Sequence, residues 1–314
     1  MAFSKRRLVF FGTPEWSVPV LTALADTQNL VAVVTAPDRR QGRGLLLTPS
    51  PVAQAANQLG LPVLKPEKLK DPEFLAALRG YQPEVAVTAS YGKKIPRQVL
   101  ELPPYGFLNL HPSLLPAYRG AAPVQRALMA GETSTGVTVM QTNEGMDTGP
   151  IILQEKVLIQ PEETAAELSA RLRDIGIPLL LKALEDIESL KPVPQAELGT
   201  QAPMLSPEEG LIDFTRPAQE IYNRHRGVQP WPGSYFQYQD QRIKVLELRP
   251  ASGTQAAPGT ILSLNGEALT VATGAGALEL IRVRPEGKGT MSGTAWARGQ
   301  RLAPGNSLVT EPES

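Results

Sequence analysis

Four short apolar runs, Arg7 to Phe11, Leu30 to Ala36, Glu84 to Thr88 and Phe107 to Leu110, alternate with helix-like segments in the first 155 residues. Continuous runs of this length read as buried strands, and strands separated by helical crossovers pair in parallel. The expected fold is therefore α/β, with a doubly wound, mostly parallel sheet. Ligands of such sheets bind in the crevice beyond the carboxyl ends of the strands, so the residues that follow each run are the first place to look for chemistry. The turn after the first run, Gly12-Thr13-Pro14-Glu15, holds one glycine only. It lacks the spacing of a dinucleotide fingerprint, which argues against a nicotinamide or flavin enzyme. Thr13 is expected to cap the first helix, with Pro14 at the first helical position, where a missing amide hydrogen costs nothing.

Beyond the sheet, Glu162 to Ser189 reads as a helix, with Leu168, Leu172, Ile175, Leu179, Leu180 and Leu184 on a core-facing stripe. Lys191 to Pro203 is rich in proline and poor in apolar periodicity, the mark of a connector. After it come short β-like runs, Ile243 to Leu248, Thr260 to Leu264, Leu269 to Thr273 and Leu278 to Val283, divided by turns such as Asn265-Gly266. Regular short strands predict a small barrel of the OB-like type. A chain of 314 residues exceeds one compact core. The expected division is residues 1–189, a linker at 190–206, and 207–314.

Composition removes several function classes. With no cysteine, the chain has neither a disulfide framework nor a thiolate zinc site, and a reducing compartment fits best. Lys5-Arg6-Arg7 followed by Leu8-Val9-Phe10-Phe11 imitates a signal peptide, but the apolar run ends after four residues. No stretch approaches the roughly 18 apolar residues of a membrane span. A cytoplasmic protein that touches no membrane is expected, as a monomer. The 31 basic and 31 acidic side chains balance, yet residues 216–301 hold 11 Lys/Arg against six Asp/Glu. A local basic surplus of this kind suits a polyanion.

Only two histidines occur, His111 and His225. In Phe107-Leu108-Asn109-Leu110-His111, strand alternation sends Asn109 and His111 to the same side, and Pro112 keeps His111 extended. Both residues should emerge together at a carboxyl edge. Asp147, in the glycine-flanked loop Glu144-Gly145-Met146-Asp147-Thr148-Gly149, can bring a carboxylate to the same place. A Ser113-His111-Asp147 nucleophilic triad is disfavoured, because no Gly-x-Ser-x-Gly elbow surrounds the serine. Two distant histidines without cysteines do not make metal-ligand spacing either. His225, between Arg224 and Arg226, is expected on a surface, facing RNA if that region binds it.

Several segments resemble the methionyl-tRNA formyltransferase family of folate-dependent formyltransferases. They are Phe11-Gly12-Thr13-Pro14, Pro37-Asp38-Arg39, Gly42-Arg43-Gly44, Asn109-Leu110-His111-Pro112-Ser113-Leu114-Leu115-Pro116, Arg119-Gly120-Ala121-Ala122-Pro123 and Asp147-Thr148-Gly149. The Asn-x-His and Asp-Thr-Gly elements mark the superfamily. Gly120-Ala121-Ala122-Pro123-Val124-Gln125-Arg126, Gln229-Pro230-Trp231-Pro232 and Ala257-Pro258-Gly259-Thr260-Ile261 single out the tRNA-directed branch. The resemblance implies 10-formyltetrahydrofolate as donor, the α-amine of methionyl initiator tRNA as acceptor, and no metal. It also implies catalytic Asn109, His111 and Asp147, a folate site lined by Ser113, Leu114, Leu115 and Pro116 and bordered by Tyr91 and Gly92, and a tRNA contact from Arg43. The OB-like region would bind the tRNA. One departure stands out: bacterial relatives carry lysines after Gly-Arg-Gly, where this chain has Leu45-Leu46-Leu47. The electrostatic grip of that loop is expected to be weaker.

In such a reaction Asn109 and a protonated His111 would hold the developing oxyanion, while Asp147 keeps His111 charged and relays the amine's proton. The alternatives are a folate-dependent formyltransferase acting on an amino sugar and a non-catalytic folate- or RNA-binding protein. The second would have no need of the polar trio.

Overall fold

The computed structural model describes residues 5–41, 46–252 and 256–309. The chain forms two compact units. The first comprises Met1–Pro123, Ser134–Leu158 and Ser169–Pro203; the second comprises Val124–Thr133, Ile159–Leu168 and Met204–Ser314. In chain order the strands are β1 (Arg7–Gly12), β2 (Asn29–Val34), β3 (Arg39–Gln41), β4 (Leu46–Thr48), β5 (Val63–Leu64), β6 (Val85–Ala89), β7 (Phe107–His111), β8 (Ser134–Gln141) and β9 (Ile151–Leu158). The helices among them are α1 (Val18–Thr27), α2 (Pro51–Gln58), α3 (Pro72–Gly80), α4 (Arg97–Leu100), α5 (Pro123–Met129) and α6 (Ala165–Glu185).

Seven of these strands form one sheet in the order β5-β2-β1-β6-β7-β8-β9. The pairs from β5 to β7 are parallel, and the β7-β8 and β8-β9 pairs are antiparallel. Chain order reverses between β1 and β6, which makes their carboxyl ends a topological switch point. Period-two alternation builds both cores. Leu8 and Phe10 face a cluster with Val20, Leu21 and Leu24 of α1 and Leu180 and Ala183 of α6. Val9 and Phe11 face the opposite cluster with Phe74, Leu75 and Leu78 of α3. Gly176 lets α6 sit directly on the sheet, because a Cβ there would lie 2.7 Å from Leu110 Cδ1 and 2.8 Å from Val137 Cγ2. The helix thus braces β7 from behind.

Two local readings change. Thr13 does not cap a helix: its hydroxyl donates to the Tyr91 carbonyl at 3.1 Å. Pro14 is extended and leads into a 3-10 turn at Glu15–Ser17, so α1 begins only at Val18. The long helix starts at Ala165 rather than Glu162, where Thr164 and Glu167 exchange side-chain to backbone hydrogen bonds as a capping box. Residues 190–203 belong to the first unit. Val193 pairs with Ile151 there through two backbone hydrogen bonds of 2.8 Å. Among the described residues no helix is long and apolar enough to cross a membrane.

The second unit adds α7 (Ala218–Gly227), then β10 (Ser234–Tyr238), β11 (Gln241–Ala251), β12 (Ile261–Asn265), β13 (Ala268–Ala272), β14 (Ala277–Pro285), β15 (Met291–Ser292) and α8 (Gly293–Gly299). The strands pair antiparallel in the order β10-β11-β14-β13-β12, with β15 on β14. Their inward residues surround Phe236 and Trp296, whose rings meet edge to face at 5.3 Å. Bulges in β11 around Glu247 bend the sheet over this core, in keeping with a small barrel-like domain.

His225 is not the surface residue expected. It is 6% exposed and shares a 2.9 Å hydrogen bond between Nδ1 and Ser234 Oγ. Burial, aided by the Arg226 charge, pushes its pKa from 6.5 down to about 4. Between those values the unfolded chain takes up a proton that the folded unit refuses, so stability falls as pH drops through that window. The loss is on the order of 3 kcal/mol. Chemical denaturation from pH 7 to pH 4 should therefore show a shallower acid loss in His225→Gln than in the unsubstituted protein; identical slopes would contradict this account.

Candidate active site

Asn109 and His111 occupy alternate positions of β7 and leave its carboxyl end on one side of the sheet. Asn109 is tied to the neighbouring strand, since Thr88 Oγ1 of β6 donates to Asn109 Oδ1 at 2.6 Å. That bond turns the amide nitrogen of Asn109 away from Thr88 as a free donor edge. His111 is 4% exposed. Its Nε2 lies 3.0 Å from the carbonyl of Tyr118 and its Nδ1 lies 3.7 Å from Asp147 Oδ2. A carbonyl oxygen accepts only, so Nε2 carries a hydrogen. The Nδ1 edge faces the Asp147 carboxylate at a distance too long for a hydrogen bond.

Asp147 lies in the loop between β8 and β9 with a φ of 51°, a left-handed conformation that needs external support in a non-glycine residue. Glycines on either side permit the loop's path: a Cβ on Gly149 would collide with the carbonyl oxygen of Gln141, and one on Gly145 with the Thr148 hydroxyl. The Asp147 carboxylate accepts a 2.9 Å hydrogen bond from the Gly120 amide, and its own carbonyl accepts from Gln195. The sequence-predicted trio is thus brought together, and the Tyr118 carbonyl and Gly120 amide complete it. Neither backbone group has a side-chain signature, although Arg119-Gly120 is a recognisable motif.

A cavity of about 370 Å³ opens at the ends of β1, β2 and β6. Thr13, Arg39, Ser50, Ser90 and Lys93 give it hydroxyl and cationic walls, and Tyr91 and Gly92 form part of its rim. Asn109, His111 and Asp147 are not among its lining residues. The Tyr91 ring is 5% exposed, packs edge-on against Phe11 at 5.3 Å, and its phenol is pushed up by burial. Ser113 and Leu115 are enclosed, at 0% and 3% exposure, and Ser113 Oγ donates to the Ala117 carbonyl at 2.6 Å. Leu114 reaches Gly136, so these three residues offer a ligand mainly their backbone. Arg43 lies outside the described residues. Leu46 and Leu47, where lysines were noted in relatives, are 74% and 66% exposed.

The sequence profile described as formyl transferase matches residues 5–184, and that of the formyl transferase C-terminal domain matches residues 204–301. The chain belongs to the formyl transferase family. Methionyl-tRNA formyltransferase of Thermus thermophilus is 53% identical over 302 residues, covering 96% of this chain and 99% of the relative. The protein of the same name from Deinococcus radiodurans is 46% identical over 301 residues, covering 95% and 94%. Among solved structures, the sugar 3N-formyl transferase WlaRD superposes with a TM-score of 0.66 at 15% identity, covering 90% of this chain and 99% of that one. HypX from Aquifex aeolicus in complex with tetrahydrofolic acid gives 0.62 at 19% identity, covering 95% of this chain and 47% of that one. Those two establish a shared fold.

The Gly120 amide is the contact that fixes the Asp147 carboxylate. A Cβ on Gly120 would stand 2.7 Å from the Ala202 carbonyl oxygen, at a φ of 122° that side chains rarely adopt. Gly120→Ala should therefore lower kcat by roughly tenfold or more through loss of alignment. Steady-state formyl transfer by a variant shown to be folded by circular dichroism checks this, and an unchanged kcat would contradict it.

Proposed function

We propose that this protein transfers the formyl group of 10-formyltetrahydrofolate to the α-amine of methionyl initiator tRNA, supplying the formylated residue that starts translation. The observation that carries this reading is the 53% identity to a methionyl-tRNA formyltransferase, which extends over 96% of the chain and so through both units. The site chemistry agrees with it. The neutral amine attacks the formyl carbon and a tetrahedral oxyanion develops. The bond from that carbon to the folate nitrogen then breaks, with the electron pair going to that nitrogen. The free amide edge of Asn109 and the Nδ1 edge of His111 are suited to hold the oxyanion. The 3.7 Å gap to Asp147 leaves the Nδ1 hydrogen available to a reacting oxygen, while Asp147 Oδ2 accepts the proton lost by the amine and returns it to the departing nitrogen.

The backbone of Ser113 to Pro116 and the rim at Tyr91 and Gly92 are assigned to the folate. Arg43 is assigned to the acceptor stem on the sequence resemblance alone. In domain terms, 1–189 carries the chemistry with 190–203 packed into the same unit, and 207–314 holds the tRNA. Support for the last assignment comes from β11 and β14, where Lys244 stands directly opposite Arg284 and both are exposed. Like charges directly opposed across strands destabilise a sheet, and an RNA backbone relieves that repulsion. The scheme needs no metal ion and no second subunit, and places the protein in the cytoplasm with its substrate.

Incubation with 10-formyltetrahydrofolate and, separately, methionyl initiator tRNA, methionyl elongator tRNA and an amino-sugar nucleotide tests the assignment. Formylation of initiator tRNA in strong preference to the other two is expected. Product from the sugar nucleotide alone would overturn it.

A further inference from the structure

The proline-rich stretch that follows α6 contains one side chain whose hydrogen-bonding capacity is used on both sides. Gln195 Nε2 donates to the carbonyls of Asp147 at 2.8 Å and Gly149 at 2.7 Å. Its Oε1 accepts from Arg119 Nε at 3.0 Å and Arg119 Nη2 at 2.8 Å. Arg119 is itself 7% exposed and is fixed along its backbone, donating from its amide to the Thr200 carbonyl at 2.8 Å and accepting from the Ala202 amide at 2.6 Å. The next residue, Gly120, donates to the Asp147 carboxylate. These contacts close a ring: Asp147 carbonyl, Gln195 amide, Arg119 guanidinium, Gly120 amide, Asp147 carboxylate. Its members come from three separate stretches of the first unit.

We propose that Gln195 is a positioning residue for formyl transfer, which holds the left-handed Asp147 loop and the Arg119-Gly120 loop in register so that the carboxylate stays aimed at His111. The proposal rests on the catalytic reading given above for Asp147. A primary amide is the group this place requires. Its nitrogen supplies two hydrogens to the two carbonyls, and its oxygen supplies two lone pairs to the guanidinium. Glutamate would keep the Arg119 pair but set a second oxygen against two carbonyl oxygens, and methionine would fill the space without any of the four bonds. Gln195 touches no reacting atom in this scheme, so its substitution should reduce kcat and leave the KM values for tRNA and folate nearly unchanged. A misplacement of about 1 Å is enough for losses of about a hundredfold.

The test is a double-mutant cycle on the full chain, with kcat measured for formylation of methionyl initiator tRNA in Gln195→Met, Asp147→Asn and the double variant, and thermal unfolding followed for each. The expected result is a 10- to 100-fold loss of kcat from Gln195→Met in the native background, but no more than twofold when Asp147 is already Asn. Should Gln195→Met not fold, Gln195→Glu, which retains the Arg119 contact, enters the same cycle under the same criterion. Losses that multiply in the double variant, or a kcat for Gln195→Met within twofold of the unsubstituted protein, would overturn the proposal. Absence of formylation by the unsubstituted protein would instead defeat the catalytic reading beneath it.

Discussion

The chemistry proposed for this protein depends on one carboxylate, that of Asp147, being held in place by its neighbours. Asp147 adopts a left-handed backbone and lies 3.7 Å from the only histidine at the sheet's carboxyl edge. Aspartate enters the left-handed region more readily than most residues, yet the conformation still costs it more than it would cost glycine. The loop is fixed at both ends of the residue: the Gly120 amide holds the side chain and Gln195 holds the backbone. Glycines at 145 and 149 remove the side chains that would collide along the way. Strain is tolerated at this point because hydrogen bonds around it over-determine the geometry.

That loop has a firm partner because β7 is rigid. The strand lies in the middle of the sheet, hydrogen-bonded to β6 on one side and β8 on the other, with α6 packed behind it at Gly176. Period-two alternation then presents Asn109 and His111 on the same face, and their positions follow from the backbone rather than from flexible side chains. The parallel half of the sheet supplies the cavity at the ends of β1, β2 and β6, since its strands all end on the same edge. The antiparallel β8-β9 pair supplies the loop that carries Asp147. The cavity and the Asp147 loop thus come from two different pairing patterns within one sheet.

Much of this was legible in the sequence for a physical reason. Buried parallel strands are written as continuous apolar runs, and the four found by inspection match β1, β2, β6 and β7 within one or two residues. The pairing of Asn109 with His111 followed from alternation alone, and the glycines around Asp147 announced a tight loop. What could not be read was anything that depends on distant backbone groups. Thr13 looks like a cap, but its hydroxyl is spent on the Tyr91 carbonyl, which folding brings to it across 78 positions. His225 sits between two arginines, a setting that suggests a wet surface, yet α7 turns the ring inward onto Ser234. Gln195 lies in a stretch whose composition speaks only of a connector; its partners lie 46 to 76 residues away.

The central claim is that Asp147 and His111 act on the reacting atoms, and single-turnover transfer tests it most directly. Enzyme saturated with 10-formyltetrahydrofolate would be mixed with methionyl initiator tRNA, comparing the unsubstituted protein with His111→Ala and Asp147→Asn. The account requires the rate of the chemical step to fall by about 10²–10⁴ in each variant, with donor binding retained. Rates within twofold of the unsubstituted protein would contradict it.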